Sequence, residues 1–154
     1  MHNQKATEDL RAVKIKISDI SEEGLTVSEE VDPAGMDLDT QVLKFLPPLR
    51  LTAGFQRERE TVLVEVSVKG QTEQTCGRCL EPYARSYDNE FNLDYEIRED
   101  PFLDITDDVR QEILLSYPVR FLCKEDCRGL CPRCGANLNE SKGHAENCPL
   151  YRAP

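Results

Sequence analysis

At 154 residues and a formal charge of −10, the chain is long enough to bury one core. It is too acidic to coat nucleic acid by bulk electrostatics, which needs surplus Lys and Arg, so any RNA contact must be local. The opening MHNQKATEDLRAV has no apolar run of signal-peptide type, and no stretch has enough consecutive apolar residues to span a bilayer. A soluble cytoplasmic protein with no membrane partner is therefore expected, and in that reducing compartment an odd count of seven cysteines points to ligands or core residues before disulfides.

In chain order, Val13, Ile15 and Ile17 alternate with polar residues, which predicts a first, edge-proximal strand. Residues 18 to 40 are acidic and broken by Gly24, Pro33 and Gly35, so they read as a solvated loop with room for a short strand near Leu25 to Val27. Leu49, Leu51, Ala53 and Phe55 alternate, and beyond Arg57-Glu58-Arg59-Glu60 so do Val62, Val64, Val66 and Val68, predicting two strands of a hairpin. Phe91, Leu93, Tyr95 and Ile97 predict another strand. After Pro101 the period changes: Ile105, Val109 and Ile113, with Leu114 and Tyr117, mark one amphipathic helix, with Asp104 or Thr106 available as N-cap and Pro118 as stop.

The expected class is α+β: an antiparallel sheet, a meander or partly barrel-like, with one helix and a cysteine-rich zinc-binding tail. The expected division is a β-rich domain over 1–118, ending in the helix, and the tail over 119–154 packed on it. The tail carries Arg120, Lys124, Arg128, Arg133, Lys142 and Arg152 against four acidic residues, a formal +2 that leaves −12 for the rest. This asymmetry points to a local basic patch, less any charge that metal-bound thiolates add.

Five cysteines and one of the two histidines lie between Cys123 and Cys148. Cys131-Pro132-Arg133-Cys134-Gly135 is a zinc-knuckle sequence, since Pro and Gly around C-x-x-C allow a tight turn whose N–H groups face the sulfurs. Cys76-Gly77-Arg78-Cys79 repeats the spacing upstream, at a sheet end. Cys123/Cys127 and His144/Cys148 each set two ligands four residues apart, a spacing suited to one helical face. Eight ligands make two tetrahedral sets, and three pairings of the four units are possible. The first choice joins neighbours, giving Cys131, Cys134, His144 and Cys148 as one site and Cys76, Cys79, Cys123 and Cys127 as the other. A zinc-ribbon pairing would instead join the two knuckles and leave Cys123/Cys127 to meet His144/Cys148.

Other readings are weaker on chemical grounds. Buried cysteines without metal are common, but a tail so poor in large apolar residues needs a staple, and structural zinc supplies an apparent 10 to 16 kcal/mol, roughly, in small modules. A redox Cys76/Cys79 pair wants a helix start to lower its thiol pKa, and strands flank it here. His144-Ala145-Glu146 imitates the H-x-E of zinc deaminases but follows the cysteine pair, with Pro132 inside that pair. With all eight donors used, neither site keeps the open position of catalytic zinc. His2, near the N-terminus, is expected to be inert.

TCGRCLEPY, then SYPVRFLC, then CKEDCRGLCPRCGANLN together resemble the bacterial and chloroplast YceD family of large ribosomal RNA accumulation proteins. The resemblance runs over about residues 45 to 148 and falls on Cys76, Cys79, Cys123, Cys127, Cys131, Cys134 and the Gly135 to Asn139 turn. Members often finish with C-x-C soon after N-L-N, where this chain offers His144 and Cys148, which reads as a change of ligand type. The resemblance implies a non-enzymatic factor needed for large-subunit ribosomal RNA to accumulate, acting in processing or ribosome assembly. It would touch RNA through Arg120, Lys124, Arg128 and Arg133, or a basic ribosomal or assembly protein through the acidic sheet, with no small-molecule substrate. The alternative class is a thiol- or metal-dependent enzyme using Cys76/Cys79 or an open zinc site.

Overall fold

The computed structural model describes residues 13–140, 144 and 148–149. Among these described residues, six strands and one α-helix follow in order: β1 Lys14–Lys16, β2 Leu25–Val31, β3 Leu43–Glu58, β4 Thr61–Thr75, β5 Pro82–Glu96, β6 Phe102–Asp104 and α1 Thr106–Leu115. Strands β2 to β5 form an antiparallel meander in sequence order, and β1 pairs only with β6 in a separate two-stranded sheet. The described sheet is open, with β2 and β5 at its edges. The class is thus α+β, mostly antiparallel with one helix, and the meander rather than the barrel holds.

The alternation seen in the sequence decides which face is buried. On β3, Leu43, Phe45, Leu49, Leu51, Ala53 and Phe55 point inward, and on β4 so do Val62, Val64, Val66 and Val68. Register sets Val62, Val64 and Val66 opposite Tyr95, Leu93 and Phe91 of β5. The intervening residues, including Thr52, Gly54, Glu65, Ser67, Glu90 and Asn92, line a shallow depression on the outer face. Pro47 and Pro48 have no N–H to give to the ladder, and the β3–β4 register shifts there, between Leu46 and Arg50.

Three strand readings are corrected. The first strand does not border the main sheet, because β6 pairs with it along its length: Lys14 faces Asp104 and Lys16 faces Phe102. The acidic stretch from 18 to 40 is more ordered than a loop: β2 extends to Val31, and a 3-10 turn over Pro33–Met36 buries Pro33 and Met36, with Leu38 buried just beyond. Asp32 caps that turn by accepting from the Ala34 N–H at 3.0 Å. Finally, β5 begins at Pro82, nine residues before the apolar alternation starts at Phe91.

Helix α1 lies over the inner face through Ile105, Val109 and Ile113, all fully buried. Its N-cap position is Ile105, which offers no side-chain bond. Asp104 Oδ1 accepts from Thr106 N–H at 3.0 Å instead, while Thr106 Oγ1 accepts from Val13 N–H at 3.2 Å. Asp107 and Asp108 sit in the first turn, where the helix dipole favours negative charge. The helix stops at Leu115, three residues before Pro118, as the residue before a proline avoids helical geometry. Tyr95 Oη donates to Asp108 at 2.6 Å and Arg110 Nε donates to the Met36 carbonyl at 2.7 Å, so the helix is clamped from both sides. Among the described residues, no helix is long and apolar enough to cross a membrane.

Candidate metal centres

The chain leaves α1 through Tyr117, whose hydroxyl donates to the Leu38 carbonyl, and Phe121, which packs on the core. Phe121 then accepts from Gly77 N–H at 2.7 Å. This bond brings the start of the tail to the turn between β4 and β5, where Cys76 and Cys79 stand.

The structure gathers Cys76, Cys79, Cys123 and Cys127 into one cluster, and Cys131, Cys134, His144 and Cys148 into another, with all donor atoms in each set within 4.8 Å of one another. Neighbouring units are therefore paired, and the zinc-ribbon arrangement is not formed. Metal–sulfur bonds of about 2.3 Å set the edge of a tetrahedral sulfur cage at about 3.8 Å. The first cluster matches: Cys76 Sγ to Cys127 Sγ and Cys79 Sγ to Cys123 Sγ are each 3.7 Å. In the second, Cys131 Sγ lies 3.8 Å from Cys148 Sγ, and His144 Nδ1 lies 3.6 Å from Cys148 Sγ and 3.8 Å from Cys134 Sγ. A sulfur–nitrogen edge of about 3.6 Å is expected for metal–nitrogen bonds near 2.0–2.1 Å. All these sulfur pairs are far beyond the roughly 2.05 Å of a disulfide. Both donor sets thus fit a four-coordinate ion, with His144 presenting Nδ1.

The two C-x-x-C segments share one hydrogen-bond skeleton. In the first, Cys76 N–H donates to Glu81 O and Leu80 N–H to Cys76 O, both at 3.0 Å. In the second, Cys131 N–H donates to Ala136 O at 2.8 Å and Gly135 N–H to Cys131 O at 2.9 Å. Arg78 N–H approaches Cys76 Sγ at 3.5 Å, and Arg133 N–H approaches Cys131 Sγ at 3.4 Å. The residue after the second cysteine is left-handed in each, Leu80 at φ 61° and Gly135 at φ 73°. Only the second knuckle has the glycine that this conformation favours.

Cys123 and Cys127 come together differently from the sequence expectation. They stand at the two ends of a bend and turn rather than on a helix, closed by Cys127 N–H to Lys124 O at 3.2 Å. The helical expectation for His144 to Cys148 falls on residues outside those described.

Local fields separate the thiols. Burial pushes Cys76 up, but backbone N–H donors from Cys79, Cys123 and Arg78 outweigh it and bring the thiol down to about 6. Cys127 is also lowered: burial opposes, while the Asn139 amide and the Gly129 N–H prevail. Burial likewise opposes the lowering of Cys131 by the N–H groups of Cys134 and Arg133. Desolvation beside the other sulfurs pushes Cys123 up to about 12. His144 is raised by its bond to the Cys134 sulfur, against burial. Cys76 therefore favours the thiolate at neutral pH, which is the state a cation takes up, and in the second cluster the backbone donors move Cys131 in the same direction.

The sequence reading missed two supporting residues. Arg78 Nη1 donates to the carbonyls of Cys127 at 3.0 Å and Glu125 at 3.5 Å, clamping the turn that carries Cys127. Asn139 Nδ2 donates to Cys127 Sγ at 3.3 Å. The signal available was the CRGLCPRCGANLN phrase, which places Asn139 beside the second knuckle without revealing its reach to the first. Of the basic residues singled out, Arg120, Lys124, Arg128 and Arg133 are all exposed. Lys124 and Arg128 line one cleft, together with Asp126, Leu138, Asn139, Glu140 and His144, and neither Arg120 nor Arg133 is part of its lining. The structure thus divides the expected patch and sets two carboxylates inside its central part.

Residues 92–150 match the model of the family described as large ribosomal RNA subunit accumulation protein YceD. The match to the YceD family covers this segment alone. It begins within β5, so it includes Cys123 onward but not Cys76 and Cys79, and it is shorter than the resemblance over 45 to 148 expected from motifs. Uncharacterized proteins of Mycobacterium tuberculosis and Mycobacterium bovis are 31% identical over 101 residues, 55% of this chain and 49% of theirs. One from Mycobacterium leprae is 28% identical over 127 residues, 72% of this chain and 58% of its own length. The chain therefore spans only about half to three-fifths of these relatives. No solved structure matches it.

Proposed function

We propose that this chain is a non-enzymatic ribosome biogenesis factor that holds two structural zinc ions and supports accumulation of large-subunit ribosomal RNA. The observation that carries this reading is the pair of closed four-donor clusters in and beside the segment that matches the YceD family. All-sulfur and sulfur–imidazole cages with tetrahedral edges suit zinc. Cys76, Cys79, Cys123 and Cys127 would hold one ion, and Cys131, Cys134, His144 and Cys148 the other. Bound there, zinc supplies cross-linking energy. Four protein donors per ion leave no position for a substrate or activated water, which argues against the thiol- or metal-dependent enzyme.

The working surface in this reading is the rigid tail. Arg120, beside the fully exposed Val119, and Arg133, at the knuckle tip, are the strongest candidates for contact with a ribosomal RNA precursor. Lys124 and Arg128 contribute less to phosphate binding because Asp126 and Glu140 share their cleft. A basic ribosomal or assembly protein is the partner that the acidic body would suit. The test is crosslinking in cells with both RNA and protein partners identified, run on the native chain and on a chain with Arg120 and Arg133 reversed to Glu. Loss of large-subunit precursor crosslinks and of RNA accumulation is expected. Undiminished crosslinks and RNA levels would exclude these two residues as the contact.

A further inference from the structure

Among the described residues, Asn139 of the second cluster's hairpin hydrogen-bonds a sulfur of the first. Asn139 uses its amide fully: Nδ2 donates to Cys127 Sγ at 3.3 Å and to Asn137 Oδ1 at 2.9 Å, while Oδ1 accepts from Arg128 N–H at 2.9 Å. Asn137 is itself fixed, because its Oδ1 also accepts from Asn139 N–H at 3.0 Å and its backbone bridges to Leu130. That bridge belongs to the small hairpin around the second knuckle, closed by Cys131 N–H to Ala136 O at 2.8 Å and Leu138 N–H to Gly129 O at 2.9 Å. A side chain carried by the hairpin of one cluster therefore presents an N–H to a sulfur of the other.

We propose that Asn139 is a positioning residue that couples the two metal sites, so that an ion held by Cys131, Cys134, His144 and Cys148 raises the affinity of Cys76, Cys79, Cys123 and Cys127 for theirs. The inference rests on reading both clusters as metal sites. The knuckle hairpin is too short and too poor in apolar residues to fold by itself, so the ion it encloses is what holds Asn137 and Asn139 in place. Once held, Asn139 stabilises the charge on the Cys127 sulfur and fixes its direction, the role of outer hydrogen bonds around metal ligands. Linkage makes the effect mutual: filling the first site strengthens the second by the same factor. The alternative route between the clusters is steric, since a Cβ on Gly129 would stand 3.1 Å from the Arg78 carbonyl oxygen. This packing carries no charge onto a ligand, and an Asn139 substitution leaves it intact.

The test is a cobalt(II) titration of the metal-free full chain, reading the absorption of the all-sulfur site and of the imidazole-containing site separately. The native chain is compared with Asn139→Asp, Asn139→Ala, Cys134→Ser and Cys134→Ser combined with Asn139→Ala. Asn139→Asp keeps the acceptor for Arg128 N–H, loses both Nδ2 bonds and sets a carboxylate beside the Cys127 sulfur, whereas Asn139→Ala loses all three bonds without adding charge, so an effect shared by the two variants reports the lost donor. Loss of affinity at the all-sulfur site by about tenfold to a hundredfold is expected for each single variant, and the double variant is expected to be no weaker than Asn139→Ala alone. Circular dichroism of the sheet checks that the body is folded, and if either Asn139 variant is lost, the other completes the comparison. Two ions bound in the native chain with equal first-site affinity in Cys134→Ser would overturn the coupling alone, as would additive losses in the double variant. Fewer than two cobalt ions per native chain would overturn the two-site reading with it.

Discussion

The two cysteine clusters have the same knuckle and different reach. The first joins residues 51 apart in sequence, Cys76 to Cys127, whereas the contacts of the second span at most 17, from Cys131 to Cys148. One fastens the tail to the end of the β4–β5 strand pair, whose members each run for 15 residues, about 50 Å when extended. The other encloses its own hairpin. A shared local geometry thus does two tasks, long-range stapling and local folding, according to where its second pair of ligands comes from.

Removing metal should produce the largest effect and break the comparison altogether. Structural zinc contributes roughly 10–16 kcal/mol of apparent free energy in small modules. The tail has few buried apolar side chains to replace it, whereas the body keeps its core. Chelation is expected to leave the β3–β4 amides protected and to expose those from Cys123 to Asn139, as hydrogen exchange would show. Simultaneous loss of both regions would mean that the body depends on the metal too.

A core substitution tests the opposite half. Leu51 is fully buried on β3, and Leu51→Ala should cost about 2–5 kcal/mol of body stability. Denaturant unfolding would measure that loss. Native mass spectrometry should still find the second cluster's ion on the folded fraction.

Acid should separate the clusters more gently. Cys76 is held near 6 in the folded chain, below its ordinary value. A lowered thiol gives stability that is present at higher pH and lost as pH falls through the folded value. Metal release from the first site is therefore expected to steepen below about pH 6, followed with a chromogenic chelator. Release that is flat through this range would show that the Cys76 sulfur does not govern retention.

The smallest effect sharpens the likeness between the knuckles. Leu80 adopts φ 61° where the second knuckle has Gly135, and its side chain is 61% exposed. Leu80→Gly should relieve a left-handed penalty of about 1–2 kcal/mol, offset in part by glycine's greater freedom when unfolded. A rise of a few tenths to about 1 kcal/mol in stability is expected from denaturant melts.

What the sequence disclosed follows from where each element faces. Val62 to Val68 alternate cleanly because one face of β4 meets the core and the other meets water. The Pro82 to Glu90 half of β5 gave no such signal: it is an edge, and its inward positions are half-buried groups such as Tyr83 and Tyr87 rather than aliphatics. β2 hid for the same reason, since Ser28, Glu29 and Glu30 are all exposed. The donor residues were legible because thiol and imidazole spacing is local. Their pairing was legible only as a preference for neighbours, which the structure forms, because it depends on Phe121 meeting Gly77 across 44 residues. Arg78 and Asn139 escaped notice because an N–H aimed at a distant carbonyl or sulfur leaves no periodic trace.

The 51-residue separation of Cys76 and Cys127 also has a meaning in time. During synthesis the turn between β4 and β5 and its two thiols emerge well before the residues that complete their cage. Until the ribosome has delivered Cys127, the nascent chain displays an open dithiol able to take other soft cations or oxidise. Arrival of the start of the tail ends this exposure, so closure of the first cluster marks a chain translated past Cys127.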